Sequence, residues 1–345
     1  MRSCLDLSAE LARRGHEVTL VHRPQLDLGG CDLQGVTLQQ ASFRRYPADL
    51  ARLARLLEQA GIQVLHSHMS AAHAYGVLLR AWRGIPSVAT AHSRQLQLHW
   101  AFNDMVIAPS RVTAEYHHRV NLVPWRRLTV IPNFIEAARR EVVTPERRAA
   151  ARARLGLDPD ALVIGSVGDL FSYKRPSDLV LAAGRLLEGP APVELVLVGG
   201  DGDAAEARRL EAAARPHGAR VRRLGRRSDV EQILPALDIY AMASRTEEMP
   251  IAVLEAMSAG LPVVGVEVGG MADLVRHGET GLLAPRGDIR RLEAHLQMLA
   301  RDPAMRLRMA QAGRERALRE FAPGPIVSRV EAVLEGAAAR QRRAA

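Results

Sequence analysis

The stretch TEEMPIAVLEAMSAGLPVV, residues 246–264, carries two glutamates, Glu247 and Glu255, one at each end of a short passage from loop into helix. It reads as loop, helix, tight stop and strand. One helical turn from Glu255 stand Ile251, Ala252, Ser258 and Ala259. None is basic, so no i,i+4 ion pair supports the carboxylate. A carboxylate among small apolar residues is costly if buried alone. Glu255 therefore either faces solvent or meets a polar group that its own helix does not supply. Glu247 could simply complement the helix dipole. Set between a strand that ends at Ser244 and a helix that begins near Pro250, it also lies beside free backbone N–H groups at a strand's carboxyl end, where anions bind. Carboxylates accept hydrogen bonds from sugar hydroxyls, so an acid pair beside a phosphate-binding helix suits a sugar nucleotide.

Lys174 is the second singular feature, the one lysine among 47 basic residues. A compact ammonium on a flexible stem is not equivalent to a planar guanidinium. A chain that uses arginine everywhere else and lysine here fits a constrained role, against chance placement as the alternative. The net charge is +9 with a pI near 10.5. Such a balance favours anionic partners. Aromatic residues make up only 4%, which argues against a base-stacking nucleic-acid surface. The scattered arginines read as compositional bias or as weak attraction to an anionic membrane surface. Cys4 and Cys31 have no metal spacing and make no disulfide framework. With no apolar signal core at the start and no apolar run of about 18 residues, the expected compartment is reducing and cytoplasmic, peripheral at the inner face of the membrane if the charge is used there.

These residues need elements to hold them. Residues 7–13 fit a helix stopped by Gly15, and EVTLVH follows as a strand. DLARLARLLEQAG places Leu50, Leu53, Leu57 and Ala60 on one helical face. IQVLHSH, PSVATAH, DMVIAPS and LTVIPN are short apolar strands, with SAAHAYGVLLRAW a helix between the first two. After a charged stretch from Ile135 to Ala161, read as a linker with one short helix, the pattern restarts with ALVIGSVG, VELVLVGG, ARVRRLG, LDIYAMAS, LPVVGV and GLLAP, separated by helices at 176–187, 203–214, 228–235 and 250–259. Beyond Asp288 the chain reads as helical. Alternating strands and helices imply parallel sheets covered on both faces, here two doubly wound domains in tandem. The expected boundaries are 1–137, a linker at 138–160, 161–322, and a C-terminal helix at 323–345 that returns to the first domain. Ligands bind such sheets at the carboxyl ends of their strands.

In this order, ARRGHEVTLVH, VIPNFIE, GSVGDLFSYKRP, LVGGDGD, SRTEEMPIAVLEAMSAGLPVV and VGGMADLVRHGETGLLAPRGD resemble the glycosyl transferases group 1 (family 4) type, with its E-x7-E signature. The likeness covers nearly the whole chain. It implies an α/β GT-B fold, two Rossmann-like domains facing across a cleft. It further implies that Glu255 binds ribose hydroxyls, that Glu247 holds donor-sugar hydroxyls, and that the N–H groups of Met249 and Ile251 approach the sugar and diphosphate. Lys174 matches the lysine that neutralises the departing diphosphate, and His92 the histidine that faces the donor sugar. Gly168, Glu248, Arg175 and Arg226 join the expected donor-binding set; His66 and His68 stay open between lining the cleft and serving structure.

Two positions depart from that pattern. Asp169 stands where the family often has a diphosphate-binding arginine, so it is expected to face elsewhere, with Arg175 or Arg245 in compensation. Glu248 replaces a common glycine. The resemblance also implies a strand and Gly-rich turn before the first helix; without them the first sheet has an open place. Either the start is placed too late, or part of the pocket is missing. The expected activity is a retaining, metal-independent glycosyl transfer from a UDP- or GDP-sugar to a saccharide, lipid-linked or other hydroxyl. No cofactor is expected, and no Asp-x-Asp motif lies in a suitable loop. An inactive sugar-nucleotide-binding protein and a non-hydrolysing epimerase are the alternatives.

Overall fold

The computed structural model describes residues 2–25, 28, 32–44, 47–135 and 143–344. It divides into two compact units, one of Met1–Phe134 with Pro323–Ala345 and one of Ile135–Ala322. Cys4 is a free thiol; Cys31 lies outside the described residues.

In the first unit, α1 (Arg2–Arg13) turns through Gly15, whose φ of +93° suits glycine, into β1 (Val18–His22). β1 pairs in parallel with β2 (Val36–Gln40), Val18 opposite Val36. β2 escaped the sequence reading because VTLQQ has no continuous apolar run, and Leu38 in its centre is largely exposed. α2 (Pro47–Gln59) buries Leu53, Ala54 and Leu57 against Tyr75 and Leu79 of α3 (Ser70–Arg83), with β3 (Leu65–Ser67) between them in sequence. β4 (Ser87–Thr90), β5 (Met105–Ala108) and β6 (Leu128–Val130) complete a parallel sheet in the order β3-β4-β5-β6. From β4 to β5 the chain crosses in extended form with one 3-10 turn, Leu98–Phe102, and from β5 to β6 through α4 (Arg111–Arg119). The parallel layer of this unit thus comes in two pieces, β1-β2 and β3 to β6. A cavity of about 1900 Å³, lined by residues of α1, β1, β3 and the start of α3, lies where the two pieces do not join.

The second unit opens with α5 (Pro145–Leu155), inside the span expected to be a linker. Arg152, itself buried, reaches Asp238 with Nη2 to Oδ2 at 2.7 Å, and the same oxygen accepts the Val163 N–H. Arg148 makes a second ion pair to Asp238. These contacts build α5 into the second unit; residues 136–142 lie outside the described ones. Then follow β7 (Leu162–Val167), α6 (Pro176–Glu188), β8 (Val193–Val198), α7 (Ala204–Ala214), β9 (Val221–Arg223), α8 (Val230–Ile233), β10 (Ile239–Ala241), α9 (Ile251–Ser258), β11 (Val263–Val266), α10 (Met271–Leu274) and β12 (Gly281–Ala284). The sheet is wholly parallel in the order β12-β11-β10-β7-β8-β9, and its central strands are buried. α11 (Ile289–Arg301) and α12 (Pro303–Glu320) close the unit. The last helix, α13 (Pro323–Ala344), belongs to the first unit, where Glu331 accepts from Arg14 at 2.6 Å and meets His16 at 2.7 Å.

Candidate functional site

The strand order of the second unit reverses between β7 and β10. From β7 the chain winds outward through β8 and β9, and from β10 outward the other way through β11 and β12. Loops leaving adjacent strands at such a point diverge and leave a crevice for a ligand. Gly168 follows β7, and the loop of Glu247 follows β10, so the topology sets both at this switch point.

Backbone contacts hold the loops close. The Arg245 N–H donates to the Tyr173 carbonyl at 2.8 Å. Lys174 Nζ then lies 2.6 Å from Glu247 Oε1, with the glutamate side chain 7% exposed and the lysine 23%. The lone lysine and the first glutamate thus form one charge-assisted pair. α9 starts at Ile251 behind Pro250, which as a cap offers no side-chain hydrogen bond to the first turn. Glu255 is half-buried, flanked by buried Leu254 and Ala256. Burial pushes the Tyr240 hydroxyl up, and the charges of Glu247 and Glu255 add to that shift. Both acids therefore act on one point of the β10 strand.

Three glycines permit this convergence. The carbonyl of Gly168 lies 2.0 Å from where a Cβ on Gly199 would stand, and that of Leu170 lies 1.9 Å from the same point on Gly202. The carbonyl of Glu247 lies 1.4 Å from it on Gly269, where φ is +54°. Ser172 is tied to the start of α7: its N–H and hydroxyl donate to Asp203, which also caps Glu206 N at 3.0 Å. The bond from Ser172 leads the causes that hold the Asp203 carboxyl far below the usual range.

Asp169 faces away from the Lys174 pair. Its Oδ1 accepts the Gly200 N–H at 3.0 Å and pairs with Arg226 at 3.1 Å, so Arg226 stands at the second Gly-rich turn on the opposite carboxyl-end loop. Arg175, expected in the donor set, is engaged with acids of its own unit. Its Nε is 2.8 Å from Asp178 and its Nη1 3.9 Å from buried Glu206, so its guanidinium serves the start of α6. Arg245 is exposed, and Glu248 and Met249 keep their places in the loop, half-buried and buried.

In the first unit, His92 follows β4, and its Nε2 lies 2.9 Å from His68 Nδ1. His66 Nε2 meets Thr90 Oγ1 at 2.7 Å, and the His66 and His68 rings are 4.3 Å apart. The pairing of His68 with His92 had no signal in sequence beyond two strand ends. Burial lowers these rings, His66 to about 3 and His92 to about 4, and lowers His117 on α4 to about 4 as well. Their folded values lie below the ordinary 6.5, so the unfolded chain binds protons first as pH falls. The stability they confer is present above about pH 6.5 and is lost on the way down to pH 4. We expect the thermal midpoint to drop by several degrees, on the order set by domain size, between pH 6.5 and 5, above the carboxylate range. A flat midpoint across that window would show that the rings take up protons in the folded state.

Known proteins match along the whole chain. The family described as Glycosyl transferases group 1 matches residues 147–316, and Glycosyltransferase Family 4 matches residues 2–139. The N-acetyl-alpha-D-glucosaminyl L-malate synthase of Bacillus anthracis is 26% identical over 353 residues, covering 95% of this chain and 91% of the relative. A D-inositol 3-phosphate glycosyltransferase of Rhodococcus erythropolis (strain PR4 / NBRC 100887) is 30% identical over 329 residues, covering 81% of this chain and 73% of the relative. The crystal structure of Anabaena HepE in complex with UDP and glucose superposes with a TM-score of 0.84 at 19% identity, over 97% of this chain and 95% of that one. With its E-x7-E helix at the switch point of a Rossmann-like unit, the chain belongs to the glycosyl transferases group 1 and is a glycosyltransferase of the GT-B fold.

Proposed function

We infer that the protein transfers a glycosyl group from a nucleoside-diphosphate sugar, UDP- or GDP-linked, to a hydroxyl of a saccharide or lipid-linked acceptor, with retention and without a metal. The observation that carries this reading is the Lys174–Glu247 pair at 2.6 Å, set at the switch point beside the start of α9. A diphosphate arriving there would share the ammonium with Glu247. The first N–H groups of α9, with Ile251 at its start and Met249 just before it, face the same charge, which a helix N-terminus favours. In this reading Lys174 and those N–H groups stabilise the departing diphosphate, Glu247 holds the sugar hydroxyls, and Glu255 takes the ribose. Gly168 gives the backbone its close approach, and Arg226 and Glu248 line the donor. The solved fold neighbour with UDP and glucose supports a uridine donor.

Titration calorimetry with UDP and GDP tests the reading. Glu255→Gln removes one charge-assisted acceptor, and the expected loss is about 1.5–3 kcal/mol in nucleotide affinity. Unchanged affinity in a folded variant takes Glu255 out of the site. Binding without consumption of any UDP- or GDP-sugar would favour the inactive binding module.

A further inference from the structure

The loop from β7 to α6 carries two aromatic rings to which the transfer described above gives no task. Phe and Tyr number five each in the chain, and one of each, Phe171 and Tyr173, stands within three residues of the lone lysine. Both are exposed, at 37% and 46%. Their centroids lie 5.8 Å apart with the planes 12° from parallel, so the stacked pair presents faces of one direction. Lys174 Nζ lies 5.5 Å from the Tyr173 centroid, within the range at which an ammonium is drawn to a ring. One exposed aromatic on a surface asks for no explanation. This pair differs because the backbone beneath it is fixed. The Leu170 N–H donates to the Gly200 carbonyl at 3.0 Å, the Phe171 N–H to the Asp169 carbonyl at 2.9 Å, and the Ser172 N–H to Asp203 Oδ2 at 2.7 Å. The Tyr173 carbonyl accepts the Arg245 N–H, and the Lys174 N–H turns back to the Phe171 carbonyl, both at 2.8 Å. Each residue from 170 to 174 is thus tied by its backbone, and a braced loop holds the two rings out to solvent.

Fixed aromatic faces beside a charge suit a ligand that is apolar on one side and polar at its edge. A pyranose ring is such a ligand. Its axial C–H bonds form an apolar face, and its hydroxyls lie round the rim. Those hydrogens carry slight positive charge, and the face of an aromatic ring is negative. The Tyr173 phenol adds a hydrogen-bonding tip. Rings with two torsions lose little freedom when a ligand covers them. Reach then selects the sugar, and the selection rests on the reading in which Lys174 neutralises the departing diphosphate. In that reading Glu247 holds the donor sugar and Glu255 the ribose, so neither calls on the rings. The attacking oxygen must come to about 3–3.5 Å from the anomeric carbon, which is joined through a single oxygen to the phosphate that Lys174 meets. The acceptor ring that bears this oxygen therefore lies within about one ring's width of the ammonium, where Tyr173 stands. Phe171 lies one ring further along.

We propose that Phe171 and Tyr173 form the stacking platform of an acceptor subsite, and that the acceptor is a saccharide of at least two rings, the attacking ring on Tyr173 and the next on Phe171. Methyl β-cellobioside and methyl α-maltoside are the probes, with glucitol as a polyol that has no ring. Saturation-transfer NMR on the full chain, with and without UDP, should show transfer to the ring C–H protons of at least one disaccharide and none to glucitol. Phe171→Ala with Tyr173→Ala should weaken that binding by about tenfold or more, whereas Phe171→Tyr, which keeps the face, should bind as the parent does. UDP affinity, read by calorimetry, should not follow the loss. If the double variant does not fold, Phe171→Ala alone serves, and it should bring disaccharide binding down to that of methyl β-glucoside. Disaccharide binding is also read on the unloaded chain, so a failure of the donor reading, seen as no UDP binding, is told apart from a failure of the platform. Transfer to neither disaccharide, equal transfer to glucitol, or full binding by the folded alanine variants overturns the proposal. So does a loss of UDP affinity as large as the loss of disaccharide binding, which would put the rings under the nucleoside.

Discussion

Lys174→Ala should slow glycosyl transfer by roughly 100-fold or more, the scale of removing one preorganised donor from a developing negative charge. The chain has no other lysine to substitute for it, and the neighbouring Arg175 is engaged with Asp178 and Glu206. The variant has a second effect that must be separated. Glu247 is 6% exposed and loses the ammonium that lies 2.6 Å from it, and a buried carboxylate deprived of its partner is strongly destabilising. Lys174→Ala alone therefore combines lost catalysis with lost stability. Adding Glu247→Gln removes the orphaned charge, so the double variant should recover thermal midpoint without recovering turnover. Lys174→Arg keeps the charge but replaces a point donor with a planar fork; it should retain the pair with Glu247 and still transfer slowly. Near-normal turnover by Lys174→Ala, measured as donor consumption at saturating substrate, would make the lone lysine an accident of composition.

The periodic features were readable because they repeat. Apolar strands such as VELVLV and VVGV are buried on both faces, and nothing but a central parallel strand asks for such a run. β2 failed the same test, because an edge strand with Gln39 and Gln40 needs no apolar continuity. The E-x7-E spacing placed Glu247 in a loop and Glu255 on a helix, but spacing cannot say which residue from elsewhere meets them. Lys174 is 73 positions from Glu247, and their contact follows from strand order, which brings β7 beside β10. Arg175 shows the converse. Its position beside Lys174 suggested a ligand, yet a backbone at φ +53° turns it toward Asp178. Local sequence reports a residue's type and element; the direction of its side chain depends on partners brought by the fold. Asp169 was set apart on charge alone; its partners in the structure, Gly200 and Arg226, come from loops after β8 and β9.

The glycine at 269 carries the sharpest test of how the site is positioned. Gly269 lies past the end of β11, at φ +54°, and a Cβ there would stand 1.4 Å from the Glu247 carbonyl oxygen and 2.6 Å from its carbon. Both obstacles are backbone, so no rotamer change relieves the clash, and either the β11 loop or the Glu247 loop must move. The Glu247 loop bears the acid of the ion pair and leads into α9, whereas the Gly269 side is braced by the Met271 N–H on the Val268 carbonyl at 3.0 Å and by the Glu267 N–H on Ala284 at 2.8 Å. Gly269→Ala should therefore displace Glu247 by an ångström or more, and a misplacement of about 1 Å costs on the order of 100-fold in rate. A left-handed alanine also carries about 1–2 kcal/mol of backbone strain, which by itself would lower stability without touching chemistry. Gly278→Ala isolates that part. Gly278 has φ +83° with nothing within 4 Å of its added Cβ, so its variant should lose a similar amount of stability and keep its turnover. The pair is compared by thermal midpoint and by donor consumption at saturating substrate. If Gly269→Ala transfers as fast as Gly278→Ala, the position of Glu247 does not limit the reaction, and the role assigned to the Lys174–Glu247 pair fails with it.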